Sequence, residues 1–196
     1  MRKLRTTADL VAAKGWTEER IRTEVRKGLI TRMVHGVYGA GPDLPSELDR
    51  VRATALATVG VCDAVGSGHL HRFDGVERWR PHVLVSGPSS GKRPYVRRVK
   101  ALPTNIVDVG QVHCLSASDA LRELASVLDD IHWEQALEFC LRKKLVPIAE
   151  IAQWRHPRIR RVLRVRGGLL VPPTESLLET RTVQLMRRDP SIPVPV

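Results

Sequence analysis

The punctuation of the first forty residues leaves few folds open. Thr6 and Thr7 precede the apolar pair Leu10-Val11, and Gly15 stands where a helix ends in the left-handed conformation, so residues 6–15 read as a short capped helix. After Trp16, Thr17 supplies a second cap, and Glu18 and Glu19 complement the positive end of the helix that follows. Ile21 and Val25, four residues apart, share one face of this helix, which runs to about Lys27 and closes at Gly28. The β-prone stretch Leu29 to Gly39 is interrupted by His35-Gly36, a pair suited to a hairpin turn. Helix, turn, helix and hairpin in this order predict a small winged helix.

With Ile21 and Val25 turned inward, Arg20, Arg22, Thr23, Arg26 and Lys27 face outward or lie on the flanks, with Thr17 at the helix start. Arg32 and His35 fall on the wing. Side chains of these types read base edges and hold phosphates when a helix enters a major groove. The opposing reading is that Glu18, Glu19 and Glu24 pair with the arginines at helical spacing and make a merely solvated face.

Charge points the same way. The 196 residues carry 32 Lys and Arg against 21 Asp and Glu, a formal net charge of +11. One cluster comprises Lys92, Arg93, Arg97, Arg98 and Lys100; another comprises Arg155, Arg158, Arg160, Arg161, Arg164 and Arg166. Neither contains an acid, and together they equal the whole net excess, which makes them candidate phosphate contacts. Charge alone does not separate DNA, RNA and an acidic protein as the partner.

An apolar fraction of 42% is enough to bury a core, in one medium domain or two small ones. No apolar run reaches the roughly 18 residues of a membrane span, and polar Thr6-Thr7 follows the basic start, so a cytoplasmic protein with no membrane partner is expected. Cys62, Cys114 and Cys140 stand far apart and read as buried apolar residues in a reducing compartment. His69 and His71 lack a third ligand nearby, so no metal is assigned. The loop Gly87 to Arg93 lacks the full phosphate-loop spacing, and no cofactor is assigned.

Gly41-Pro42 breaks the chain after the first module. A helix is expected from Ser46 to about Val65, ended by Gly66-Ser67-Gly68, and then three strands over 81–86, 95–99 and 105–109. Helices follow from Ser116 to Leu128, from Trp133 to Lys143, and from Pro147 through Trp154. Gly167-Gly168 reads as a linker, before a last helix from Glu175 to about Arg188. The whole is an α+β chain in three parts: 1–41, a winged helix-turn-helix; 46–166, a central helix and small-sheet domain; and 172–196, a helix and tail.

Taken in order, several segments resemble the AbiEi-type antitoxin family of bacterial type IV toxin–antitoxin systems, in its actinobacterial branch fused to a very-short-patch-repair-like endonuclease fold. Thr6-Thr7-Ala8-Asp9-Leu10, the Thr17 to Lys27 helix and Val34-His35-Gly36-Val37-Tyr38 resemble the family's winged helix, whose wing ends in Gly-Val-Tyr. Leu70-His71-Arg72-Phe73 resembles its Leu-His-Gly segment, and Leu115-Ser116-Ala117-Ser118-Asp119-Ala120 the start of its Thr-Ser-Pro-Ala-Arg-Thr helix. Ser176-Leu177-Leu178-Glu179-Thr180-Arg181 resembles the opening of the nuclease-like domain. Cys62-Asp63-Ala64 departs from the Ser-His that such proteins tend to have.

The resemblance implies a DNA-binding autoregulator acting on its own promoter, with the region of about 116–166 counteracting a nucleotidyltransferase-like toxin in phage defence. It also makes Glu175 and Glu179 the remnant of a nuclease site. Nucleases of that fold need further acids on later strands, and only Asp189 follows Glu179, so no catalytic residue is assigned and the chain is not expected to be an enzyme. The alternatives are a metal-dependent endonuclease completed by a partner, and a prophage interaction protein without a toxin. The apolar end Pro193-Val194-Pro195-Val196 suggests a surface for packing or for a homodimer.

Overall fold

The computed structural model describes residues 2–87, 93–189 and 191 of this α+β protein. The tail reading above therefore lies outside the described residues. Two compact units emerge: Met1–Gly66 with Pro81–Leu115, and Ser67–Arg80 with Ser116–Val196. This division cuts across the sequential boundaries 1–41, 46–166 and 172–196. The chain returns to each unit once, and no single cut recovers either of them.

In the first unit, β1 (Leu4–Thr6), α1 (Thr7–Lys14), α2 (Glu18–Arg26), β2 (Ile30–Val34) and β3 (Val37–Ala40) build a three-stranded sheet, order β1-β3-β2, carrying two helices. Thr6 and Asp9 form a reciprocal capping box on α1, Gly15 closes it in the left-handed conformation, and Thr17 caps α2. The hairpin pairs Val34 with Val37 around Gly36, whose φ of +77° explains why glycine stands there. Leu10, Trp16 and Ile21 form one small core under α2; Leu4, Met33, Val37 and Ala53 form another.

Ala53 belongs to α3 (Glu47–Thr58), which Ser46 caps in a second box with Asp49 and which packs on strands of both sheets of this unit. The second sheet, order β6-β5-β4-β8-β7, holds β4 (Val61–Cys62), β5 (Val83–Ser86), β6 (Val96–Val99), β7 (Ile106–Val109) and β8 (Val112–Leu115). The expected helix to Val65 is thus cut short at Thr58. Gly60 lies so close to β5 that a Cβ there would stand 2.5 Å from Val83 Cγ1 and 2.9 Å from the Leu84 carbonyl oxygen. Val59 closes α3 in the left-handed conformation, and Val61, just after Gly60, begins β4 beside β5. The glycines of Gly66-Ser67-Gly68 then sit inside α4 (Ala64–Leu70) instead of ending a helix.

Arg52, mid-α3, is buried. Its Nη1 donates to the Arg2 carbonyl at 3.0 Å, and its Nη2 to the Gly110 carbonyl at 2.8 Å, in the turn joining β7 and β8. Gln111 of the same turn accepts from the Leu4 N–H at 3.1 Å.

The second unit is helical: α5 (Ala117–Leu124), α6 (Asp130–Arg142), α7 (Ile148–Ile151), α8 (Pro157–Arg166) and α9 (Leu177–Met186). Ser116 and Asp129 cap α5 and α6, and the fully buried Trp133 donates its indole N–H to the Leu121 carbonyl at 2.9 Å. The α7 helix is a single turn, shorter than expected. Replacing Arg52 by Met removes two charge-assisted, partly buried bonds to backbone carbonyls and takes the guanidinium donor from both oxygens. The expected loss is about 3 kcal/mol in urea unfolding, and a loss below about 1 kcal/mol contradicts this role for Arg52.

Candidate nucleic-acid interface

The candidate residues expected between 17 and 35 lie on and around α2 and the β2–β3 hairpin. Arg20, Arg22, Arg26 and Lys27 are exposed, Thr23 is half-buried, and Thr17 uses its hydroxyl to accept the Arg20 N–H at 3.2 Å. Ile21 is the anchor beneath them, and Val25 is only half-buried. A groove of about 720 Å³ between helix and hairpin is lined by Ile21, Arg22, Val25, Arg26, Arg32 and Tyr38, and Glu18 and Glu19 also reach it.

The acids do not neutralise this face. Glu18 approaches Arg22 at 3.6 Å, but the two side chains are 80% and 77% exposed, where such a pair holds little and yields readily to a phosphate. Arg26 donates to the Thr23 hydroxyl at 3.3 Å. On the hairpin, Arg32 Nη2 lies 2.6 Å from His35 Nδ1. A guanidinium only donates, so in this contact His35 Nδ1 is the acceptor.

Residues that the sequence reading passed over join the same module. Lys14 Nζ lies 4.5 Å from the Trp16 ring and Arg20 Cζ 5.3 Å from it, so the core-anchored indole holds two cations between α1 and α2. Lys3 and Arg5 flank the buried Leu4 on β1 and line a pocket with Lys14 and Trp16. The alternation Lys3-Leu4-Arg5, one apolar residue between two cations, was the available signal.

The two basic clusters divide. Arg97 and Arg98 are consecutive on β6, an edge strand, and consecutive strand residues point to opposite faces, so they do not form one patch. Arg98 donates to the Gly87 carbonyl at 3.2 Å; Arg93, Arg97 and Lys100 are exposed, and Lys92 lies outside the described residues.

The arginines of 155–166 need correction as phosphate contacts, because half of them already have carboxylates. Arg166 is buried: its Nε donates to Glu138 Oε1 at 2.6 Å, with both side chains under 5% exposed, and its remaining donors reach the carbonyls of Gly168, Val171 and Pro172. Arg158 and Arg161 both bond Asp130, at 3.0 and 2.5 Å. Arg155, Arg160 and Arg164 remain exposed, with no acid partner among the described residues.

Glu175 and Glu179 do not form a site with other acids. The Glu179 carboxylate accepts the Glu175 N–H and its own N–H donates to the Ser176 hydroxyl, so both serve the start of α9. Among the described residues no group of three or more His, Cys, Asp or Glu is placed to hold a metal ion. His71 stacks on Phe73, and burial pushes the thiols of Cys62 and Cys114 up to about 12 and about 11. No helix among the described residues is long and apolar enough to cross a membrane.

Compared with known proteins, the chain matches no family model and no curated protein.

The hydrogen bond from Arg161, assisted by Arg158, holds the Asp130 carboxyl below its ordinary value of 3.8. A lowered carboxylate pKa means that this link between α6 and α8 is intact at neutral pH and is lost as pH falls through the lowered value. In Arg161→Gln, the side-chain carboxyl ¹³C titration of Asp130 moves upward toward 3.8. An unchanged midpoint contradicts the assignment.

Proposed function

We propose that the chain is a sequence-selective double-stranded DNA-binding regulator, with α2 as the helix that enters the major groove and the β2–β3 hairpin as a wing along the backbone. One observation carries this reading: α2 presents Arg20, Arg22, Arg26 and Lys27 to solvent beside a hairpin bearing Arg32 and His35, and its nearby glutamates leave those cations available. Lys3, Arg5 and Lys14 extend the positive surface around the same module and suit phosphates flanking the reading helix. The exposed Arg97 and Lys100 suit a secondary role in holding the backbone.

The resemblance stated above extends the proposal to autoregulation at the chain's own promoter, with an antitoxin task against a nucleotidyltransferase-like toxin. The helical second unit is the part left free for that task. Coexpression with such a neighbouring gene product tests it, and growth arrest that this chain does not relieve contradicts it.

Fluorescence anisotropy on the DNA upstream of the gene, against a scrambled duplex and over a salt series, tests the regulator. The affinity should fall with a log–log slope of about −0.9 per phosphate neutralised. Arg22→Ala and Arg26→Ala should each cost roughly 1–3 kcal/mol on the upstream sequence where they contact bases. Equal binding to both duplexes overturns the sequence-selective reading, and absence of binding overturns the DNA reading itself.

A further inference from the structure

The second unit answers most of its inward arginines with carboxylates: Arg142 meets Asp74 at 2.8 Å, Arg187 meets Glu134 at 2.5 Å, and Arg158, Arg161 and Arg166 are paired as described. Three exposed arginines without such a partner converge. Arg78, Arg181 and Arg188 line one cleft of about 760 Å³, and none has a carboxylate partner among the described residues. Arg181 and Arg188 are seven apart on α9 and its exit, which puts them on one face about 10 Å apart along the axis. Arg78 belongs to the turn after α4. That turn lies directly on α6, where a Cβ at Gly75 would stand 2.6 Å from the His132 carbonyl oxygen.

The floor of the cleft is tied together by hydrogen bonds. Gln135 Nε2 donates to Gln184 Oε1 at 2.9 Å, and Gln184 Nε2 donates to the Ile131 carbonyl and to Glu134. The His132 ring is held by Asp129 through Nδ1 and lies edge-on to Trp79, with centroids 4.7 Å apart. Gln135 is 3% exposed, yet its Oε1 has no hydrogen-bond partner. Ile131 and Leu185 give the cleft an apolar wall, and Glu77 is its one acid.

We propose that this cleft binds a nucleoside di- or triphosphate. Guanidinium groups grip phosphate oxygens in pairs, and three of them against the single carboxylate of Glu77 suit a chain of phosphates better than a single charge. The volume suits a ligand of this size, and the apolar wall suits an uncharged base. The Gln135 amide, after a small rotation, accepts from an exocyclic amino group of that base and so gains the donor it lacks.

The test is titration of the full chain with a fluorescent ATP analogue at fixed ionic strength, with unlabelled ATP and inorganic tripolyphosphate as competitors. The expected result is saturable binding of one nucleotide per chain. It should weaken at least about tenfold in Arg181→Gln/Arg188→Gln and stay within about twofold in Arg160→Gln/Arg164→Gln, which removes the same charge from the exposed face of α8. All four positions are exposed, and circular dichroism checks that both variants fold. ATP should compete at least about tenfold better than tripolyphosphate. Absence of saturable binding at millimolar nucleotide, equal weakening in both variants, or equal competition by tripolyphosphate overturns the proposal. The cleft shares no residue with α2 or the hairpin, so duplex binding reports on the regulator reading separately.

Discussion

A single buried guanidinium holds the first unit in register. Arg52 reaches the chain start through the Arg2 carbonyl and the β7–β8 turn through the Gly110 carbonyl, while Asp49 one turn back on α3 offers a carboxylate at 3.5 Å. Burial lowers its pKa, with Asp49 pulling the other way, and a guanidinium still stays charged at neutral pH. Its Nε finds no acceptor. The fold tolerates that unpaired donor because α3 is packed on both sheets of the unit, and no apolar side chain could satisfy both carbonyls across that seam. The position of β1, and with it the module that carries α2, follows from this contact and from the Leu4 bond to Gln111.

The same chemistry explains why charge read along the chain misleads. The acid-free run from Arg155 to Arg166 looks like a surface for phosphate, but its partners Asp130 and Glu138 lie on α6, far away in sequence. Arg166 on the buried face of α8 needs Glu138 because an uncompensated charge there is prohibitive, and the Thr174 N–H takes the other carboxylate oxygen at 2.9 Å. Cations left unpaired by the fold are the ones able to meet an external anion. By that criterion weight moves from Arg158, Arg161 and Arg166 to Arg26, Lys3, Arg5 and Lys14 on the first module, and to the arginines around the α6–α9 cleft.

Local chemistry was legible wherever a cap or a turn residue decided the outcome. Thr6, Gly15, Thr17 and His35-Gly36 act as expected, as does Ser116, because their hydrogen bonds close within a few residues. What stayed hidden depends on distant neighbours. Two-residue β4 exists only because β5 and β8 flank it, and the β7–β8 hairpin turns on Gly110-Gln111, both at positive φ, a pair without the usual Asn-Gly signature. The α8 helix was readable in principle. Pro157 opens it, Ile159 and Val162 are buried, and Gly167 closes it, but its density of arginine drew attention to charge before periodicity.

On the candidate interface, the decisive property is how the cations are held rather than how many there are. Helix α2 carries as many glutamates as arginines, so its net charge alone argues for nothing. The arginines differ in how their side chains are braced. Arg20 lies over the Trp16 ring, Arg26 is braced by Thr23, and Arg32 is braced by His35, so three guanidinium groups are oriented before any ligand arrives. Orientation in advance reduces the entropy lost when long side chains meet a phosphate or a base edge. The glutamates facing them have only an exposed i,i+4 contact to give up. A neutral helix can therefore serve as a reading helix, provided the phosphates are held by the cations of β1, α1 and the hairpin around it.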